Sequence, residues 1–346
     1  MQQIVIDIEK TKNLNSGLGQ FSLNYALSMQ KYAAKEMNYV FYQKHNKLVE
    51  GIDKDKIIKP AVFKSKPKAT LWHSLHQFPK VQAPKVAKHL LSVHDLNFLH
   101  EKDAKKQQKY LHRLQYNIDK ADAITVISNY TKNQLLEHIE VGEKPIYRIY
   151  NGVDLKQYPK AIAPSFIGKA AFFFSLGIIS EKKNFHVLLP LLKAFPNHKF
   201  VLAGEKSSSY AQKMIQTAKD LGVYKQLIMP GTITEEEKYW IYTHCEAFLF
   251  PSLAEGFGLP VIEAMLAAKP VFLSTHCSLP EVGGDAAFYW DSFDADNMIA
   301  VVKKGLKEYQ EDKDTMQEKI KAHADLFSHQ KSILAYIDVY RKMINE

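Results

Sequence analysis

Cysteine is nearly absent from this chain. Only Cys245 and Cys277 occur among 346 residues, each in an apolar run and without metal-ligand spacing. That excludes a disulfide framework and points to a reducing compartment. Long apolar runs are missing as well; none reaches the roughly 18 residues needed to cross a bilayer. The chain opens on the strand-like stretch Ile4-Val5-Ile6-Asp7-Ile8, with no basic region, apolar core or small-residue cleavage site, so no signal peptide is expected. Internal repeats and low-complexity tracts are also lacking.

Acidic residues are scarce in the first half. Residues 1–160 hold 26 Lys+Arg against 15 Asp+Glu, a net of +11, and the remainder has a net of −2. A one-sided excess of this kind fits a polyanionic partner, an anionic membrane surface or a solvated lysine-rich face. With 46% hydrophobic and 24% charged residues, the chain is expected to be globular throughout, and its length suits two domains.

Short β-branched or aromatic runs alternate with helical patterns. Strands are expected at 3–8, 38–43, 70–73, 89–93, 123–127 and 146–149, with helices at 20–35, 104–120 and 129–138. Tyr158-Pro159 through Pro164 reads as a linker. A second alternation follows, with strands at 171–176, 199–203, 226–229, 247–250, 270–273 and 286–290. Its helices are expected at 184–195, 208–221, 234–244, 259–268 and 294–309, and two further helices, 312–325 and 329–345, close the chain. Alternation of this kind predicts parallel sheets flanked by helices, in two copies. Ligands of such sheets bind outside the carboxyl ends of the strands.

The segment 248–274 carries most of the chemistry. A strand stops at Pro251-Ser252, and a loop leads into Glu255-Gly256-Phe257-Gly258-Leu259-Pro260-Val261-Ile262-Glu263. Pro260 suits the first turn of a helix. The amides of Gly258 and Leu259 would then point out of its N-terminus, a natural anion site, and the glycines allow close approach of a ligand. Glu263, expected in the first turn, and Glu255, in the loop, would repel that anion unless hydroxyls occupy them. A ligand with a diphosphate and two diols is a nucleotide sugar. The plainer alternative is a capped core helix, which accounts for Glu263 but not for Glu255 or the Gly-Phe-Gly.

This segment resembles the Glu, seven residues, Glu signature of the retaining glycosyltransferases of family 4, which have the GT-B fold. Other patches are similar to the family in the same order along the chain: His94-Asp95-Leu96, Val126-Ile127-Ser128, Asn151-Gly152-Val153-Asp154, Gly177 through Asn184, and Ser278 through Asp285. The resemblance implies an α/β chain of two Rossmann-like domains facing across a cleft. Residues 1–164 would form the acceptor-side domain and 165–325 the nucleotide-sugar domain. Residues 326–346 would form a C-terminal helix packing back on the first.

The resemblance also implies roles. Lys183 neutralises the leaving diphosphate, where fixed positive charge lowers the barrier; Lys182 shares that task, since Ile178 stands where relatives often carry Arg. His94 faces the transferred sugar across the cleft, and Asp95 orients its loop. Glu255 meets the sugar hydroxyls and Glu263 the ribose. Phe257, Gly258 and Leu259 form the phosphate turn, and Gly231 and Thr232 lie near the base. Gly17 and Gly19 make a glycine turn near phosphate and acceptor, with Gln20 in place of a frequent Arg.

The partners implied are a nucleotide-sugar donor, with GDP-mannose favoured over a UDP-sugar, and a glycan or lipid-linked acceptor. An anionic membrane surface is a further candidate, touched through Lys102 to Arg113 by an enzyme placed in the cytoplasm at the inner face of the membrane. No nucleic acid, cofactor or metal is expected. Asp53-Lys54-Asp55, Asp294-Ala295-Asp296 and Asp312-Lys313-Asp314 resemble a metal-binding Asp-x-Asp but fall in polar loops or helices. His73 and His76 lack a zinc-site Glu and read as lining the acceptor side. Two other readings stay open: a GT-B-fold epimerase or phosphorylase, and a non-catalytic subunit. The last would be expected to lose Lys183, Glu255 or His94, and all three are present.

Overall fold

Alternating strands and helices build two separate sheets in the computed structural model, which describes residues 2–14, 16–33, 37–47, 49–59 and 69–345. The chain divides into two units: residues 1–152 with 327–346, and residues 153–326. The break precedes the 158–164 stretch expected as a linker. Tyr158 packs ring to ring on Tyr239 at 6.2 Å, so that stretch belongs to the second unit.

The first unit contains β1 (Gln3–Asp7), β2 (Asn38–Tyr42), β3 (Ile57–Ile58), β4 (Leu71–Ser74), β5 (Lys88–Val93), β6 (Ala123–Val126) and β7 (Ile146–Arg148). All pair in parallel, in the order β3-β2-β1-β4-β5-β6-β7. The order reverses between β1 and β4. Leu90 and Leu91 fall in cores on opposite faces, as the two-residue period of a strand requires when both faces are covered. The helices are α1 (Gly17–Tyr32), α2 (Phe98–Glu101), α3 (Ala104–Asp119) and α4 (Asn129–His138). Ser16, Asp103 and Ser128 cap α1, α3 and α4 by accepting amides of the first turn. The last two positions of the expected 20–35 helix, Ala34 and Lys35, lie outside the described residues. The two-residue β3 carries too short a pattern to be read from sequence.

The C-terminal helix, His329–Asn345, packs on α1 in the first unit, adding Ile333, Tyr336, Ile337 and Tyr340 to its core. A buried polar chain stitches it to the sheet. His73 Nδ1 lies 2.6 Å from Tyr340 Oη, and His73 Nε2 lies 2.8 Å from Ser92 Oγ. Tyr340 in turn meets Tyr25 at 2.5 Å, and Ser92 meets Thr125 at 2.7 Å. His73 is therefore a satisfied core histidine rather than a lining residue, and burial holds it well below its ordinary value.

The second unit contains β8 (Phe172–Leu176), β9 (Lys199–Ala203), β10 (Leu227–Gly231), β11 (Ala247–Phe250), β12 (Val271–Ser274) and β13 (Phe288–Trp290). They too are parallel, in the order β10-β9-β8-β11-β12-β13, with the reversal between β8 and β11. Its helices are α5 (Leu191–Ala194), α6 (Ser209–Asp220), α7 (Glu235–His244), α8 (Leu259–Leu266), α9 (Leu279–Gly283), α10 (Ala295–Glu311) and α11 (Lys313–Ala324). The continuous helix expected at 184–195 is broken into short 3-10 turns, Glu181–Lys183 and Phe185–Leu188, followed by α5. Asn184 is left-handed, with φ 57°, and Pro190 brings no amide, so no helical ladder runs through. The two Rossmann-like parallel-sheet units bear out the expected fold class.

Candidate functional site

The residues predicted from sequence are spread over both units. In the second unit Lys183 and Glu255 meet where the strand order reverses, beyond β8 and β11. Glu263 lies on α8 facing α7, and Gly231 and Thr232 lie at the end of β10, two strands from β8 in the sheet order. β8 is followed by Gly177, whose φ of 153° suits glycine and whose absent side chain leaves room for the Lys183 stem; a Cβ there would lie 3.3 Å from Cε. Gly204, after β9, is needed for the same turn, because a Cβ would stand 1.9 Å from the Gly177 carbonyl oxygen. The turn Ser180–Asn184 closes through the Lys183 amide on Ser180 O at 3.0 Å. Lys183 then lies over the Phe250 ring, 4.8 Å from its centre, and reaches Glu255 Oε1 at 2.5 Å.

The loop after β11 is tied on every side. The Leu253 amide donates to Lys182 O at 2.8 Å. Ser252 Oγ donates to Glu255 Oε1 at 2.6 Å, and Ser274 Oγ holds Ser252 O at 2.5 Å. Cys277 Sγ accepts the Glu255 amide at 3.1 Å, and Ser278 Oγ donates to Phe257 O at 2.8 Å. Burial, helped by the Glu255 charge, pushes the Cys277 thiol up to about 11, so it is a neutral thiol. Both cysteines are free. Gly258 caps α8 with φ 113°, Pro260 lies in the first turn, and a Cβ on Gly258 would crowd Leu279 at 3.1 Å. The Gly258 cap of α8 thus stands three residues after Glu255. The Val261 amide turns back onto Gly258 O at 3.0 Å and Pro260 has no amide, so Gly258 and Leu259 carry the amides that could serve an anion there.

Glu263 is the fifth residue of α8 and not in its first turn, where no acidic residue stands. It faces α7. Lys238 Nζ contacts Oε1 at 3.0 Å and Tyr242 Oη donates to Oε2 at 2.9 Å. Lys238 also pairs with Glu235 at 2.9 Å. Burial alone would lower the Lys238 ammonium, but the two carboxylates outweigh it and hold it above its ordinary value. Each Glu263 oxygen keeps a lone pair for a hydroxyl. Gly231 ends β10 in a left-handed conformation beside the Lys206 stem, and Thr232 is exposed. Sequence reasoning missed Ser252, Cys277, Lys238 and Tyr242, since only packing brings them to the glutamates.

In the first unit, β1, β4 and β5 direct Asp7, His76 and His94 to one sheet edge. His94 is buried beneath Phe21, with ring centres 4.5 Å apart, and lies 6.1 Å from the His76 ring. Burial brings its pKa down to about 4. Nε2 donates to Leu75 O at 2.8 Å, which leaves Nδ1 as an acceptor on a neutral ring. Asp95 accepts the Asn97 amide at 3.0 Å and so closes its own turn. Asp7, not singled out from sequence, is 6% exposed. Burial raises its carboxyl to about 6, against the pull of the Glu9 amide it accepts at 2.9 Å. Half-buried Lys10, lowered first by burial and then by Lys80 and Arg113, lies in the same neighbourhood. Gly19 packs against the preceding loop, where a Cβ would lie 1.9 Å from Asn13 O, whereas Gly17 is exposed at the start of α1.

The three Asp-x-Asp segments sit at helix starts. Asp53 and Asp294 accept amides of the following turn, and Asp312 precedes α11. Among the described residues, no group of three or more His, Cys, Asp or Glu is arranged to hold a metal ion. No described helix is long and apolar enough to cross a membrane.

Two family models match in tandem: "Glycosyltransferase Family 4" over residues 45–157 and "Glycosyl transferases group 1" over residues 159–323. The chain is 28% identical over 236 residues to the serotype-specific mannosyltransferase WbdA of Escherichia coli, covering 64% of this chain and 28% of that protein. It is 24% identical to the O-antigen chain mannosyltransferase B of Escherichia coli, covering 64% and 60%. It thus spans less than two thirds of the length of these relatives. Among solved structures, Anabaena HepE in complex with UDP-glucose superposes with a TM-score of 0.76 at 15% identity, over 99% of this chain and 100% of that one. Sucrose-phosphate synthase from Thermosynechococcus elongatus gives 0.75 at 14% identity, over 100% of both chains.

Proposed function

We propose, from the premise that this chain belongs to the group 1 glycosyltransferases and has the GT-B fold, that it moves a hexose from a nucleoside diphosphate sugar to an acceptor hydroxyl, with retention and without a metal ion. The observation that carries this reading is the meeting of Lys183 and Glu255 at 2.5 Å, with Glu255 three residues ahead of the Gly258 cap of α8. A cation and backbone amides for a diphosphate, next to a carboxylate for a sugar, make up the two halves of such a donor.

In this reading Lys183, supported by Lys182 and the Gly258 and Leu259 amides, takes the negative charge that builds on the departing diphosphate. Phe257 belongs to the same turn. Glu255 accepts hydroxyls of the transferred sugar, and Glu263, steadied by Lys238 and Tyr242, accepts those of the ribose. Gly231 and Thr232 border the base. His94 offers Nδ1 to a sugar hydroxyl, and Gly17 and Gly19 shape the loop on the acceptor side. Relatives named as mannosyltransferases support GDP-mannose as donor; the HepE complex with UDP-glucose keeps a UDP-sugar next. The acceptor is a glycan or a lipid-linked glycan in polysaccharide or glycoconjugate assembly, reached from the cytoplasm. The exposed cations of α3, Lys105, Lys106 and Lys109, supply a contact for an anionic membrane surface.

Calorimetric titration of GDP, UDP, GDP-mannose and UDP-glucose, followed by hexose transfer in the presence of a chelator, tests the reading. One nucleotide series is expected to bind, with turnover unaffected by chelator. If nothing in the panel binds, the donor assignment is wrong. Activity lost to chelator and restored by manganese or magnesium refutes metal-free transfer.

A further inference from the structure

The two charged groups assigned above to the donor are engaged with each other. Lys183 and Glu255 are 11% and 12% exposed, and their 2.5 Å contact is the one ion pair Lys183 makes among the described residues. The pair is built in. Ser252 Oγ fixes Glu255 Oε1, Cys277 holds the Glu255 amide, and Phe250 and Gly177 define the path of the lysine stem. Removing one member of such a buried pair strands an uncompensated charge.

We infer that the Lys183–Glu255 pair is a specificity determinant that selects an intact nucleotide sugar over the bare nucleoside diphosphate. The inference rests on the donor reading above. A nucleoside diphosphate that draws Lys183 onto its phosphate leaves Glu255 without its cation. An intact donor replaces both partners at once, with phosphate on Lys183 and sugar hydroxyls on Glu255, so nothing is stranded. Once the sugar has been transferred, Glu255 loses its hydroxyls and reclaims Lys183, which weakens the hold on the spent nucleotide. Phosphate and sugar recognition are therefore coupled through this pair, and the coupling is reciprocal.

The Lys238–Glu263 pair is different. Each glutamate keeps one hydroxyl donor, Ser252 on Glu255 and Tyr242 on Glu263. Lys238, however, is also held by Glu235, so it is anchored by two carboxylates where Lys183 has one among the described residues.

The experiment compares nucleoside diphosphate affinity in the parent, Glu255→Gln and Lys238→Met by calorimetry, using GDP and UDP. Glu255→Gln is expected to bind the diphosphate tighter than the parent, by about tenfold, within the usual span of coupling between sites. Its preference for the nucleotide sugar should fall by a similar factor, and Lys238→Met should produce no tightening. Unchanged or weaker diphosphate binding in Glu255→Gln overturns the inference, while the donor reading survives as long as the parent still binds. Binding absent even in the parent overturns both. A second measurement needs no variant: saturating free mannose or glucose should tighten diphosphate binding to the parent by about twofold or more, since hydroxyls on Glu255 release Lys183. A diphosphate affinity indifferent to both sugars also overturns the inference.

Discussion

Replacing Asp7 with Asn isolates the electrostatic strain at the carboxyl edge of the first unit's sheet. Asp7 ends β1 and is 6% exposed. Burial, aided by the nearby Glu9 charge, raises its carboxyl from 3.8 to about 6. The sign follows from proton linkage. The folded state holds its proton more tightly than the unfolded chain, so the stabilisation is complete below about pH 4 and is lost as pH rises through about 6. The displacement corresponds to about 3 kcal/mol of strain in the ionised protein. Asn keeps an oxygen for the Glu9 amide, bonded at 2.9 Å, and carries no charge. Asp7→Asn should therefore match the parent near pH 4 and exceed it by about 3 kcal/mol at pH 8, or about 6–12 °C in melting midpoint for a unit of this size. Melting curves of both proteins at half-unit steps from pH 4 to 8 provide the comparison. A difference that does not grow with pH, or a less stable variant at pH 8, would mean that Lys10 and Lys44 stabilise the ionised form enough to reverse the argument. His73, His76 and His94 are held below their ordinary value and act with the opposite sign, losing stabilisation as pH falls below about 6.5, but they are common to both proteins and cancel.

Gly204→Ala should cost about 1–3 kcal/mol, the usual cost of overpacking, because its new Cβ would collide with the Gly177 carbonyl and displace the turn that seats Lys183. Melting and nucleotide titration should both register this; a variant with parental values in each would refute the close packing of the two turns. Changing Lys105, Lys106 and Lys109 to Gln should weaken binding to phosphatidylglycerol vesicles by about 1 kcal/mol per lysine at low salt, the difference fading as salt rises. Equal vesicle binding before and after the change would leave α3 as a solvated face.

Most strands and helices were legible because their cause is local. Near-continuous apolar runs such as Ile4–Ile8, Phe172–Leu176 and Phe248–Phe250 suit strands covered on both faces, inside a parallel sheet, and their spacing leaves room for one crossover helix each. The helix expected at 184–195 failed for a local reason too: the left-handed Asn184 and the missing amide of Pro190 outweighed the apolar periodicity. The boundary between the units was less legible, because the prolines near 158–164 mark a change of direction without saying which core receives Tyr158.

For the site, residue types and order marked Glu255, Gly258 and Glu263 as candidates, since a glycine turn entering a helix between two glutamates has few other uses, and the family resemblance added Lys183. What touches those groups was beyond the reach of a linear pattern. Glu255 is paired by a lysine 72 residues away, and Glu263 by a lysine and a tyrosine 25 and 21 residues away. Those contacts exist because β8 pairs with β11 and α7 packs on α8. Charge compensation at short range is decided by which surfaces meet, and a side chain's state follows from its burial and its partners. Sequence therefore determined which chemical groups stand at the ends of the strands, and tertiary packing decided that Lys183 and Glu255 neutralise each other, that His94 is a neutral acceptor and that Asp7 resists ionisation.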